Sequence, residues 1–227
     1  MYYLKLHPWN VAPREAKRIQ QRLRGRLILG KPIKKINLIA AADVAYKKGA
    51  MYGVVAVFEF PSLNVVEKKT AKMKEGFPYV PGLLTFREGP VLLKTFAKIK
   101  SEPDVIIFDG QGVAHPERMG EAAHMGILLD KPTIGCAKSR LVGTYKEPKK
   151  KKGSHASLFF DGGIVGVVLR TRERVKPLFI SPGFKIDLKS SIKIVLECCR
   201  GYRNPEPIRY VDRESKKNGK RLKGTCD

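Results

Sequence analysis

Apolar positions along the chain fall into two rhythms, one recurring every third or fourth residue and one running continuously through short stretches, and their succession predicts the elements. Ala16, Ile19 and Leu23 recur at helical spacing among basic residues. Pro13 to Arg26 is therefore expected to form an amphipathic helix ending at Gly25 or Gly30. Three apolar or β-branched stretches follow, Ile36 to Tyr46, Met51 to Phe60 and Val65 to Met73. The short connections between them, holding Gly49 and Pro61-Ser62-Leu63-Asn64, make an antiparallel meander. A loop from Gly76 to Thr85 precedes Glu88 to Lys100, where Val91, Leu92, Thr95, Phe96 and Ile99 keep a helical period. Pro103 introduces the strand Val105 to Phe108, followed by a helix over Glu117 to Leu129 and a short buried strand over Thr133 to Cys136. Further on, Leu158 to Phe160 and Ile164 to Leu169 flank the hairpin signal Asp161-Gly162-Gly163, and Leu188 to Cys199 has helical spacing. Arg213 to Asp227 is expected to be a mobile basic tail. No internal repeat is present.

Three antiparallel strands and then helix, strand, helix and strand give a mixed sheet with crossover helices. That is the ribonuclease H-like order, so the expected fold is α/β with helices flanking a mixed sheet, in one domain over residues 1–227.

Composition changes the picture mainly through charge. Apolar residues make up 43% and charged residues 29% of the 227, which suits a folded globular protein. Lys and Arg total 45 against 21 Asp and Glu, a formal net charge of +24. So much like charge opposes compaction unless a polyanion sits nearby, and nucleic acid is the expected partner. No apolar run approaches the ~20 residues of a spanning helix, and Met1 to Asn10 lacks a signal peptide's apolar stretch. A cytoplasmic monomer without a membrane partner is the expectation. Cys136, Cys198, Cys199 and Cys226 show neither CxxC spacing nor partnered histidines, so no zinc site or disulfide framework is indicated. Lys149 to Lys152, with Gly153 behind them, are either a solvated loop or a phosphate-contacting one.

Candidate chemistry begins with carboxylates at strand ends. Asp43 lies in the apolar stretch Leu38 to Tyr46, where an unpaired carboxylate is costly to bury. Asp109 ends an apolar strand and runs into the Gly-rich turn Gly110-Gln111-Gly112, the side of an open α/β sheet on which ligands bind. Taken singly, each also fits a loop cap or a structural ion pair. On neighbouring central strands they would stand side by side and need a cation between them, with Glu88, on the first turn of the intervening helix, as a third oxygen donor. Such a donor set suits Mg²⁺, with Mn²⁺ able to substitute.

Long local motifs narrow this further. Pro78-Tyr-Val-Pro-Gly-Leu-Leu-Thr-Phe-Arg-Glu88, Asp109-Gly-Gln-Gly-Val-Ala-His-Pro-Glu-Arg-Met-Gly120 and Pro132-Thr-Ile-Gly-Cys-Ala-Lys-Ser-Arg-Leu-Val-Gly143 closely resemble endonuclease V, and the order is kept from about Asp43 to Pro207. The resemblance implies a ribonuclease H-like fold and metal-dependent hydrolysis of a strand containing inosine. The cut it implies is the second phosphodiester 3′ to the lesion, leaving 3′-hydroxyl and 5′-phosphate ends. Asp43, Glu88 and Asp109 fall on the family's metal-binding acids, and Asp212 on a position where members carry His or Asp near the metal. Lys138 matches a lysine near the phosphate, and His115, on the motif loop beside Asp109, is a candidate to orient water or touch phosphate. Tyr79, held between Pro78 and Pro81, matches the family's wedge that fills the gap left by an extruded base; without the motif it would as readily be a ring packing its loop onto the core.

Extruded hypoxanthine presents an O6 acceptor and an N1–H donor where adenine presents the reverse, so fixed backbone groups can tell them apart. Gly82, Gly110 and Gly120 permit that approach, with Pro81 in the same loop and Leu84 as an apolar wall. Guanine shares both groups, so its rejection would rest on exclusion of its 2-amino group. One departure stands out: in Ser181-Pro-Gly-Phe184, read as a loop, the family usually carries His where this chain has Phe184. The expected function is repair of deaminated DNA containing deoxyinosine. An RNA nuclease acting on inosine and a non-catalytic nucleic-acid-binding module are the alternatives.

Overall fold

The computed structural model describes residues 1–220, with side chains through Lys217. In chain order the elements are α1 (Pro13–Arg24), β1 (Leu38–Lys47), β2 (Ala50–Glu59), β3 (Val65–Lys74), α2 (Leu84–Phe96), β4 (Val105–Phe108) and α3 (Glu121–Leu129). They continue with β5 (Thr133–Ala137), β6 (His155–Phe160), β7 (Gly163–Leu169), β8 (Leu178–Phe184), α4 (Leu188–Glu197) and α5 (Glu206–Lys220). The strands form one eight-stranded sheet in the order β3-β2-β1-β4-β5-β8-β7-β6. β1, β2 and β3 pair antiparallel, β4 and β5 continue parallel to β1, and β8, β7 and β6 return antiparallel. This is the expected ribonuclease H-like mixed sheet.

The central strands look uninterruptedly apolar because helices cover both faces. Ile39 and Ala41 of β1 join Val54, Ile107 and Ile180 in a core closed by Ile194 of α4 and by Ile208 and Val211 of α5. Their neighbours Ala40 and Ala42 point the other way, to Val55, Phe108, Leu92 and Phe96 of α2 and Met125 of α3. α1 lays Ala16, Ile19 and Leu23 on Phe86, Met119 and Ile127. No helix of the described residues is long and apolar enough to cross a membrane.

Several elements differ from the sequence expectation. α2 begins at Leu84, because Thr85 and Phe86 bury as its first turn, and Glu88 therefore stands on the second turn and not the first. α3 begins at Glu121 and not Glu117, since residues 113–120 make a tight loop in which Arg118 takes φ 58°. The tail expected from Arg213 continues α5 as far as Lys220, held down by Ile208, Val211 and Ser215, all essentially buried. Residues 221–227, with Cys226, lie outside the described residues. Ser181 to Phe184 is not a loop but the end of β8, a fully buried strand. Phe184 packs there with Phe77, Met119 and Ile127, so an apolar ring at this position fills core.

The loop leaving β4 folds back across β5 and β8 so closely that glycine is required. The Gly112 N–H donates to Ser181 Oγ at 2.8 Å, and a Cβ on Gly112 would lie 2.1 Å from the Pro182 carbonyl oxygen. Gly112→Ala is expected to cost about 1–3 kcal/mol by overpacking. Thermal unfolding should show a midpoint several degrees lower, at roughly 2–4 °C per kcal/mol for a chain this size; an unchanged midpoint would mean that the loop moves aside freely.

Candidate functional site

β1 and β4 run parallel in the register Ala42↔Phe108, so the next residue of each strand is an aspartate, Asp43 beside Asp109. The side-by-side placement expected from the strand pattern is thus realised. Ser215 of α5 donates its hydroxyl to Asp43 Oδ2. Lys138, one residue beyond β5, holds Asp109 Oδ2 in an ion pair. Tyr46, three residues along β1 from Asp43, donates its hydroxyl to Glu88 Oε1 at 2.9 Å, and the Arg87 guanidinium lies 4.5 Å over the Tyr46 ring. Asp212 of α5 pairs with Lys216 at 2.7 Å.

A fifth carboxylate, Glu121, enters the group unannounced by the sequence reading. It is the first residue of α3, only 6% exposed, and its Oε1 finds no hydrogen-bond partner. An acid opening the apolar helix Ala122 to Leu129, just after Gly120, was the available signal. Ser215 was hidden by the expectation of a tail, and Tyr46 by its place in a strand.

Crowding and burial set the protonation of this group. Burial, with the charges of Asp109 and Asp212, pushes the Asp43 acid up to about 6 despite the bond from Ser215. Glu88 and Glu121 are raised by burial and by carboxylate neighbours, Asp43 among them for both. Burial and the adjoining Glu88 also push the Tyr46 phenol up. Burial opposes the Lys138 charge, yet Asp109, Asp212 and Asp43 together hold that ammonium above its ordinary value.

The donor set fits a hard divalent cation. Asp43 and Asp109 each commit one oxygen to a protein donor and keep the other, and a buried orphan oxygen on Glu121 stands in the same group. Among the described residues no three His, Cys, Asp or Glu side chains already form a closed ligating set.

Beside the acids opens a cavity of about 380 Å³, within the usual range for ligand sites. Asp109, Glu121 and Lys138 line it, and so do all the residues singled out for base recognition: Tyr79, Pro81, Gly82, Leu84, Gly110 and Gly120. Tyr79 is 68% exposed at its rim. Asp43, Glu88 and Asp212 do not line this cavity and meet it only through their neighbours.

His115 also lines the cavity, but its ring is fully engaged. The Glu117 N–H donates to Nδ1 at 3.1 Å, which leaves the proton on Nε2 for the Gly82 carbonyl at 2.9 Å. Burial lowers its pKa, so the ring is held neutral. Gln20 of α1 donates to the same Gly82 carbonyl at 2.9 Å, so both lone pairs of that oxygen are taken. Gly82 has φ +83°, and a Cβ on Gly120 would fall 2.4 Å from the Gln111 carbonyl oxygen. Gly82 thus supplies a backbone angle that side chains disfavour, and Gly120 lets two backbones meet.

A family model described as Endonuclease V matches residues 21–213. The chain is 46% identical over 211 residues to the endonuclease V of Methanothrix thermoacetophila, covering 93% of this chain and 94% of that protein. The crystal structure of the Bacillus subtilis endonuclease V superposes with a TM-score of 0.92 at 34% identity, covering 98% of both chains. The Ciona intestinalis endonuclease V, solved in complex with a 24mer DNA containing an inosine followed by a ribo-adenosine, superposes with a TM-score of 0.81 at 27% identity, covering 92% of this chain and 98% of that one.

The crowding of carboxylates predicts a trade of stability for function. A folded-state pKa raised from 3.8 to about 6 means that Asp43 favours folding fully below pH ~4 and that this contribution is lost as pH rises through 6. Asp43→Asn removes the buried charge and can still accept from Ser215. In chelator at pH 8 its melting temperature should exceed that of the unsubstituted protein by several degrees, and the gain should vanish near pH 4. A variant no more stable at pH 8 would count against repulsion at this position.

Proposed function

The chain belongs to the endonuclease V family, and on that premise we propose that this nuclease is a DNA-repair enzyme whose substrate is DNA containing deoxyinosine. It cuts the second phosphodiester 3′ to the lesion and leaves 3′-hydroxyl and 5′-phosphate ends. The observation that carries this reading is the contiguity of the two halves of the site: Asp109 and Lys138 belong at once to the acid group and to the cavity wall. A base seated in the cavity therefore brings its own strand to the acids.

Asp43, Glu88, Asp109 and Asp212 would hold Mg²⁺, with Mn²⁺ able to substitute. Bound there, the ion supplies Lewis-acid polarisation of the scissile phosphate and activation of water. The protein's own groups do the rest. Asp43 accepts from Ser215, and Glu88 from Tyr46, which fixes the carboxylate planes before substrate arrives. Lys138, turned towards the site by Asp109 and kept charged by three acids, presents its ammonium to a phosphate oxygen. His115, neutral and bound on both ring nitrogens, acts as a positioning residue that fixes the Gly82 carbonyl.

Tyr79 fills the space left by the extruded base, and the backbone around Gly110 and Leu84 meets the hypoxanthine edge. The carbonyl of Gly82 is already saturated, so another acceptor takes the N1–H. Inosine-containing RNA is a second reading, favoured by the ribo-adenosine that follows inosine in the strand bound by the Ciona relative. Cleavage of matched inosine-containing DNA and RNA strands decides between them.

A nicking assay on single-inosine strands with Mg²⁺, mapped at nucleotide resolution, tests the reaction directly. Asp43→Ala and Asp109→Ala should each abolish nicking while largely preserving strand binding; nicking retained by both would refute the metal assignment. Tyr79→Ala should narrow the preference for inosine over undamaged strand more than it lowers general affinity. If discrimination is untouched, the wedge role falls.

A further inference from the structure

Away from the acids, the densest positive charge lies in two loops. Residues 146–152 carry five lysines and residues 170–176 carry three arginines and a lysine, against one glutamate in each. Lys149 to Lys152, Arg172 and Lys176 are exposed, and their side chains make no hydrogen bond or ion pair among the described residues. Six such charges held at close quarters repel one another, so something must fix the loops in place.

Arg170 is that fixture. It is 6% exposed, and a buried guanidinium is tolerated only when its donors are used. Its donors reach the carbonyls of Pro148, Lys149 and Val175, and Glu147 neutralises it at 2.6 Å. Backbone bonds from Gly153 N–H to the Arg170 carbonyl at 2.8 Å and from Arg174 N–H to the Lys150 carbonyl at 3.2 Å complete the joint. The outward lysines are thereby presented on a stiff platform and not on a solvated loop.

The platform faces the same way as the catalytic edge. The register Ala137↔Phe179, Leu169↔Leu178 and His155↔Leu169 puts both loops at the margin of the sheet from which Lys138 leaves β5. Three strand spacings of ~4.8 Å separate β5 from β6, about 14 Å in all, or roughly four base pairs at ~3.4 Å each. Arg203 spans the interval: its guanidinium donates to the Lys138 carbonyl at 2.7 Å and to the Lys176 carbonyl at 2.8 Å. Neither loop holds Phe, Tyr or Trp on which an unstacked base would lie, so the chemistry offered is for phosphates alone.

We propose that these two loops are a second contact surface for duplex DNA, gripping backbone phosphates about four base pairs from the scissile bond. The proposal deepens the reading of the protein as a DNA nuclease and rests on it. The surface carries no lesion information; it holds the flanking duplex and so sets how much DNA the enzyme needs.

The test is the variant with Lys149, Lys150, Lys151 and Lys152 all replaced by Gln, its folding checked by an unchanged melting temperature. Binding to a lesion-free 30-base-pair duplex should weaken about tenfold or more at low salt, and the slope of log affinity against log salt should flatten by about 3, near 0.9 per lost phosphate contact. On inosine substrates, nicking of a duplex extending two base pairs beyond the cut and the lesion should match that of the parent. A substrate extended by ten base pairs on one flank should lose KM advantage only in the variant. Unchanged duplex affinity and salt slope would overturn the proposal, as would a loss confined to anionic lipid vesicles. If the parent nicks neither inosine substrate, the substrate assignment fails, while the lesion-free binding arm still judges this surface.

Discussion

Two aspartates side by side, one within β1 and one just past the end of the parallel strand β4, repel each other, and much of the structure near them answers that repulsion. The three-layer core fixes β1 and β4 so firmly that Asp43 and Asp109 cannot separate, with Ile39, Ala40, Ala41 and Ala42 alternating between two buried faces. Ser215, Tyr46 and Lys138 then each take one carboxylate oxygen from three different elements. Glu121 adds another acid with a bare oxygen, which makes the group more costly as it stands and better suited to a doubly charged ion. A fold that only needed stability would have placed amides or apolar residues at these positions.

Much of this was legible in the sequence, for physical reasons. Strands buried on both faces give unbroken apolar runs, so a lone carboxylate at the end of Val105 to Phe108 is conspicuous. The glycines and prolines around Tyr79 and Asp109 mark turns and close backbone approaches, and Pro81, Gly82, Gly110 and Gly120 among them lie together about one cavity. α5 was missed because Arg213 to Lys217 are read as solvated charge, while the apolar stripe that anchors the helix, Ile208 and Val211, lies just upstream. β8 was missed altogether because Pro182 and Gly183 signal a turn, yet Pro182 needs only its carbonyl there, which accepts from Val113 at 2.8 Å. Glu121 was overlooked because an acid in the first turn is favoured at any helix start, so the one signal, its place before an apolar helix, is easily read as an ordinary opener.

The charge excess acquires a geography once the fold is known. A net charge of +24 states only that a polyanion is welcome. The structure divides it into Lys138 beside the acids and a braced platform three strands away, joined by Arg203 through carbonyls and not through charge. Attraction for phosphate is thus spread along the sheet margin, and the negative cluster occupies one point on it.

The Gly82 carbonyl accepts from Gln20 of α1 and from His115 of the loop after β4, so three separate segments meet at a single oxygen. The loop that carries Tyr79 therefore has little slack of its own. Its ordering entropy is spent when the chain folds, and encounter with a damaged strand adds almost nothing to it. Under the proposed function, the slow coordinate in forming the bound state then belongs to the nucleic acid, and capture follows how often an inosine pair opens by itself more than how often the protein rearranges.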